Sequence, residues 1–149
     1  MRFRSFAAGT LLLGSVVLLA QVPDVKALSG KYFFRELALA SDTSQVSGVS
    51  GTLTFDGNGS FTFQGQQLTG PNGPVTASGS GTYLVNSTGS VVISPDPLRN
   101  GSALNARIGA GALVASNTES SSTFFSLMIA IPAPTIGVTN ATLDRKSVV

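Results

Sequence analysis

The chain contains no histidine and no cysteine among its 149 residues. Without histidine it lacks the usual general base and the commonest protein ligand of metal ions. Without cysteine it lacks thiol nucleophiles, zinc-thiolate sites and disulfide bonds. We therefore predict that the protein is not an enzyme and that it holds no metal and no cofactor.

Charged residues are also scarce, at 11% of the chain. Between Leu28 and Leu143 four bases and five acids give a net charge of −1, so the sequence pI of about 9.4 arises from the two ends. A basic patch, the footprint of a nucleic-acid-binding protein, is missing from this part of the sequence. The five acids are scattered, and their spacing does not indicate the carboxylate pair of a glycoside hydrolase. They are Glu36, Asp42, Asp56, Asp96 and Glu119.

The N-terminal segment has the features of a secretory signal peptide. Arg2 and Arg4 precede an apolar run over residues 6–20, and a short polar segment follows that ends at Ala27. A positive region, an apolar run of about 15 residues and a small residue at the cut are typical of such a peptide. The run is short for a bilayer span, which needs ~20 apolar residues. We expect cleavage after Ala27, with Ala20 as the alternative, and a secreted, periplasmic or cell-surface protein that meets the membrane only through this peptide.

The body of the chain is organised around one stretch that occurs twice. Residues 50–63 recur 30 positions later as residues 80–93, and both copies begin with Ser-Gly-Thr and place Gly-Ser after the turn. Apolar and hydroxyl side chains alternate in each arm, with Leu53 and Phe55 before the first turn and Phe61 and Phe63 after it. A period of two is typical of a half-buried strand. Each copy therefore predicts a β-hairpin.

The residues between the arms are suited to tight turns. Asp56 and Asn86 can accept hydrogen bonds from nearby backbone, and Gly57, Gly59 and Gly89 can take a positive φ. We expect Gly59 and Gly89 to occupy the left-handed position that closes a hairpin. The alternating oxygen-bearing side chains of residues 56–60 also fit a calcium loop, but the downstream bidentate glutamate is absent and the second copy does not keep the charge. We favour the turn.

Alternation elsewhere adds four more strands, at residues 30–40, 103–108, 112–116 and 123–131. In the last of these, Phe125, Leu127, Ile129 and Ile131 share one side. The intervening segments are a polar loop at residues 41–49 and proline-containing breaks at residues 69–74 and 95–97. The sequence therefore predicts an all-β domain over residues 28–131, an antiparallel meander of about eight strands. We favour a lipocalin-like or avidin-like up-and-down barrel over a two-sheet sandwich, because closure removes exposed edges.

Three charged strand residues are candidates for a ligand site. An eight-stranded barrel has room inside for side chains or for one small ligand. If Arg35, Glu36 or Arg107 points inward, it marks such a site, because a buried charge is costly unless it is paired. The alternative is that all three charged groups reach water. Arg35 and Glu36 are neighbours in one strand, so their side chains start from opposite faces of it.

The C-terminal residues differ in composition from the rest. Residues 132–143 begin with Pro-Ala-Pro and are expected to be a linker or the start of a lost downstream region. Three of the last six residues, 144–149, are charged. Codons GAT-CGG-AAG-AGC-GTC-GTG encode these six residues and match a common short-read sequencing adapter. We therefore expect this tail to be non-native and the gene to continue beyond Leu143.

Four segments of the sequence are similar to segments of a known group of proteins. They are Leu28 to Phe33, the Ser-Gly-Thr hairpins, Gly65-Gln66-Gln67 and Ile131-Pro132-Ala133-Pro134. Together they resemble the N-terminal region of uncharacterised secreted bacterial proteins, in which a similar β-domain recurs, often before an Ig-like C-terminal module. The resemblance implies an exported, modular protein and supplies no active-site residues.

We predict a non-catalytic module for surface display, adhesion or spacing, whose partners are unknown beyond downstream domains of the same protein. The alternative is a barrel that binds a small apolar or carbohydrate ligand, and an enzyme or an outer-membrane barrel is the least favoured.

Overall fold

Eight antiparallel strands, joined in chain order, form a closed barrel in the computed structural model, which describes residues 25–109, 111–118 and 123–135. The strands are β1 (Ser29–Ala40), β2 (Val46–Asp56), β3 (Ser60–Thr69), β4 (Pro74–Val85), β5 (Ser90–Ser94), β6 (Leu104–Gly109), β7 (Ala112–Ser116) and β8 (Phe124–Pro132). Each strand pairs with the next, and β8 pairs with β1. The prediction of an all-β, eight-stranded meander closed into a barrel is confirmed. Most of the predicted signal peptide and the whole predicted tail lie outside the described residues.

The repeated stretch forms two hairpins whose turns share the same side-chain-to-backbone hydrogen bonds but differ at the first turn position, where Gly57 has a positive φ and Ser87 does not. Asp56 Oδ1 accepts the backbone N–H groups two and four positions on, at 2.7 and 2.9 Å, and Asn86 Oδ1 accepts the equivalent two at 3.0 and 2.9 Å. Gly57, Gly59 and Gly89 have φ values of 75°, 101° and 76°. Both bonds of the first copy go to Oδ1 of Asp56, and the segment forms a hairpin turn, as the sequence predicts.

One predicted loop is shorter than expected. Residues 41–49 were expected to be polar loop, but β2 already begins at Val46. Its first residues pair with the far end of β1, where Val46 lies opposite Leu39 and Ser47 opposite Ala38. Because β1 extends to Ala40, it offers a backbone partner to this small and hydroxyl-rich segment, and backbone pairing decides its conformation.

Aromatic side chains fill one end of the barrel. Tyr83 and Phe55 pack edge to face with ring centroids 5.1 Å apart, and Tyr32 packs on Phe55 at 5.3 Å. A short 3-10 helix, Val25–Ala27, covers this end, and Leu28 beside it is fully buried. The Tyr83 hydroxyl reaches the carbonyl oxygens of Leu28 and Val25 at 2.7 and 3.0 Å. The chain itself thus closes this end.

Removing the Tyr83 hydroxyl should weaken this closure. Tyr83→Phe removes the hydroxyl donor of the buried Leu28 carbonyl oxygen, whereas the Val25 carbonyl oxygen keeps the backbone N–H of Leu28. We therefore expect a loss of about 1–2 kcal/mol in the free energy of unfolding. Urea denaturation measures it. Tyr32→Phe is the matched control, because no hydrogen bond of the Tyr32 hydroxyl is found among the described residues. Equal losses in the two variants would contradict the assigned role.

Candidate functional site

The opposite end of the barrel interior is polar, and β1 brings the first of its groups there. Glu36 lies on the inward face between Phe34 and Ala38 and is 0% exposed. Neither oxygen of its carboxyl group accepts a well-formed hydrogen bond among the described residues, although the Asp96 and Ser126 side chains lie beside it. A buried carboxyl group without such partners is rare and costly, so this position requires an explanation.

The segment between β5 and β6 closes this end and carries a second acid. Asp96 is buried, and so are Pro97 and Leu98 next to it. Asp96 accepts four hydrogen bonds, two from the backbone N–H groups of Leu98 and Arg99 at 2.7 and 3.0 Å. The other two come from the hydroxyls of Ser126 and Ser102, at 3.1 and 3.3 Å. These four hydrogen bonds hold the Asp96 side chain in place and fix the segment over the barrel end.

Arg99 lies over the same end and contacts two further strands. Its guanidinium carbon is 3.4 Å from the centroid of the Phe124 ring, and Nη2 donates to the Ser47 hydroxyl at 3.2 Å. A guanidinium stacked on an aromatic ring is attracted by the electrons of the ring face. Ser47 is buried in β2. Arg99 therefore ties the β5–β6 segment to β2 and to the start of β8.

Burial raises the pKa of Glu36 to about 9, and the neighbouring Asp96 carboxylate contributes in the same direction. The Ser126 hydroxyl and the Arg99 guanidinium act in the opposite direction but do not outweigh burial. At neutral pH Glu36 is therefore a neutral, protonated acid beside Asp96. Such a pair can share a proton, but it is covered by the β5–β6 segment and is accompanied by no histidine or thiol nucleophile anywhere in the chain.

The structure separates the three predicted ligand-site residues. Glu36 is in the interior, whereas Arg35 and Arg107 are exposed on the outer face of β1 and β6. An inward position is therefore wrong for Arg35 and Arg107. The reason is that side chains alternate between the two faces of a strand. The inward side chains are Phe34 and Glu36 on β1 and Leu104 and Ala106 on β6.

Sequence reasoning missed most of the polar end. Asp96 lies in Pro95-Asp96-Pro97, which marks a strand break, and the sequence does not show that the break folds back over the barrel. Ser126 shares a face with Met128 in the predicted last strand, but alternation alone does not show that this face is the inner one. Arg99 has no local signal, since its partners Ser47 and Phe124 are distant in sequence.

Other features of the described residues add no further site. Groups of three or more acids that could hold a metal ion are not found in the described part of the chain. Within residues 25–109, 111–118 and 123–135, no helix is both long and apolar enough to cross a bilayer.

Comparison with models of protein families gives no match, and no curated protein is significantly similar to the chain.

Proposed function

We propose that this chain is a non-catalytic structural module of an exported protein, serving surface display, adhesion or spacing. The observation that carries the proposal is that the chain closes both ends of its own barrel. Val25–Ala27 covers the aromatic end, and the β5–β6 segment covers the polar end with Pro97 and Leu98 buried. A barrel that carries a small ligand needs an entrance, and these two segments occupy the places where one would lie.

The interior side chains support the same proposal. Inward residues of all eight strands form one buried cluster, with its largest members at the aromatic end. Four depressions of about 150–490 Å³ are lined by described residues, and each includes outward-facing side chains such as Leu37, Thr54, Thr52 and Val114. An interior filled with side chains provides rigidity, which a spacer or display module requires.

Export rests on the N-terminal sequence, and the structure bears on where the peptide is cut. Cleavage after Ala27 would remove the helix that contacts Tyr83, whereas cleavage after Ala20 would leave it in place. Because the helix Val25–Ala27 covers the aromatic end of the barrel, we propose cleavage after Ala20, the alternative site, which keeps this helix in the mature protein. The resemblance to modular secreted proteins supports the same location.

One observation favours the alternative of a small-ligand barrel. The Glu36 carboxyl oxygens are buried and accept no well-formed hydrogen bond, and the neighbours available to a protonated Glu36 are Asp96 and Ser126. A sugar hydroxyl could supply the missing bonds if the β5–β6 segment moved aside. This candidate depends on movement of that segment, so we place it second.

Native mass spectrometry of the full-length chain, produced in a bacterium with a Sec pathway, tests both proposals. We expect the chain in the exported fraction, with a mass that starts at Gln21, and without stoichiometric adducts after incubation with maltose or a long-chain fatty acid. A cytoplasmic, unprocessed chain would contradict export. A sugar adduct that Glu36→Gln abolishes, and that the outer-face control Arg35→Gln retains, would replace the module with the binding barrel.

A further inference from the structure

The outer surface of the barrel has one apolar side. Nine large apolar side chains on it are 40–61% exposed, and we call this set the apolar wall. It comprises Phe33, Leu37 and Leu39 on β1, Val46 on β2, Val114 on β7, and Phe125, Leu127, Ile129 and Ile131 on β8. The four β8 residues are those that the sequence places on one side of the last strand, and that side is the outside.

Strand pairing makes the apolar wall continuous. Leu39 lies opposite Phe125 and Leu37 opposite Leu127 across the β1–β8 pair, while Val114 lies opposite Ile129 across the β7–β8 pair. Paired side chains on one face are ~4.5–5.5 Å apart at Cβ. The nine residues therefore form one surface instead of scattered exposed positions.

The apolar wall is the densest part of the exposed apolar surface, which also includes Leu68 on β3, Val75 and Leu84 on β4 and Val92 on β5. Outward positions of β2, β3 and β4 carry mainly hydroxyl and amide groups: Ser50, Thr52, Thr54, Thr62, Gln64, Gln66, Ser78, Ser80 and Thr82. In β8 the order is reversed, since the outward Leu127 and Ile129 are as large as or larger than the inward Ser126, Met128 and Ala130. Large apolar side chains that share the outer face of a strand are typical of an interaction surface.

We propose that a second copy of this chain covers the apolar wall, so that the protein is a dimer packed sheet against sheet. With ~150 Å² for a fully exposed large side chain, the lower end of the aromatic range because seven of the nine are aliphatic, nine side chains about half exposed present roughly 700 Å². This is close to the ~800 Å² that each partner buries in a standard stable interface, and exceeds the ~300–600 Å² of the largest patch on a typical monomer. A two-fold axis brings the same patch from each copy together, so apolar area meets apolar area.

Arg35 is the charged residue within the boundary of the apolar wall, and it is compatible with such an interface. It lies opposite Ile129 on β8 and Ser50 on β2. The aliphatic part of an arginine covers apolar surface while its guanidinium reaches the rim. Arginine is accordingly enriched in protein interfaces, unlike lysine and the acids.

Because the chain has no cysteine, a single introduced cysteine gives position-specific cross-linking. Leu127→Cys lies in the apolar wall, and Leu84→Cys is the matched control on β4, where Leu84 is 70% exposed on the other side of the barrel. Lysates of cells that produce the full-length chain are treated with a short bismaleimide. We expect a band of twice the monomer mass for Leu127→Cys and loss of that band when Ile129→Asp is added.

The control decides the interpretation. Leu84→Cys should give little dimer, and Leu84→Asp should leave the Leu127→Cys band unchanged. Equal cross-linking at both positions, or no cross-linking at position 127 while the cysteine still reacts with a monofunctional maleimide, overturns the proposal. A monomer that floats with phosphatidylglycerol vesicles, and loses that binding in Ile129→Asp, would assign the apolar wall to a membrane surface and also overturn it.

Discussion

Replacing Glu36 with glutamine should stabilise the protein, and the gain should increase with pH. In the folded chain Glu36 keeps its proton up to a pH of about 9, its raised pKa, whereas the unfolded glutamate loses it near 4.5. Between these values the folded state binds more protons, so stability falls as pH rises. At pH 7 the difference spans about 2.5 pH units, which corresponds to a gain of up to about 3 kcal/mol for Glu36→Gln.

Urea denaturation of both proteins at pH 4, 5.5, 7 and 8.5 measures this effect. We expect almost equal stability at pH 4, where both chains carry a neutral side chain at this position, and a widening difference above it. Asp42→Asn is the control, because Asp42 is exposed and hydrogen bonds from Ser44 lower its pKa, which reverses the sign of its pH dependence. A gain for Glu36→Gln that is the same at every pH would show that Glu36 is not a buried neutral acid.

Gly51→Ala should be among the most destabilising single changes in the barrel. Gly51 on β2 lies opposite Gly65 on β3, and the two backbones come so close that a Cβ on Gly51 would overlap the Gln64 carbonyl group and the Gly65 Cα. The obstruction is backbone, so no side chain can move away to relieve it. We expect a loss of at least about 3 kcal/mol, or failure to fold, since changes of that size follow from such overpacking.

Gly109→Ala is the matched control. It also lies in a strand, it has no positive φ, and the nearest atom to a Cβ built there is the Ala112 carbonyl oxygen at 3.8 Å, an ordinary contact. Thermal unfolding followed by circular dichroism compares the two variants. The effect at Gly109 should stay below about 1 kcal/mol, the usual helix or strand preference for alanine over glycine being small. Similar melting temperatures for the two variants would contradict the close approach at Gly51.

Much of the fold could be predicted because its signals are local. The period of two in residues 50–63 and 80–93 places Phe55 and Tyr83 on the inward face, and the turn residues fix both hairpin registers. Short connections leave little choice but neighbouring antiparallel pairing. The strand beginning at Val46 could not be predicted, because its conformation depends on pairing with β1 instead of on its own composition.

The candidate site was predictable only in part. Glu36 could be singled out as a charge in an aromatic strand, but parity alone did not tell which of Arg35 and Glu36 points inward. The same ambiguity applies to β8, where the face with the larger apolar side chains is the outer one. Alternation shows that Leu127 and Ile129 share a face, and only closure of the barrel assigns that face to the outside.

The sequence by itself determined the strand pattern, the turns and the absence of histidine and cysteine chemistry, because each depends on residue type and short-range spacing. The tertiary structure decided which face of each strand is inside, because barrel curvature and pairing of β8 with β1 choose between two faces that alternation leaves equivalent. It also brought Asp96 and Arg99 over Glu36. That meeting joins residues about 60 positions apart, and their chain separation carries no signal of it.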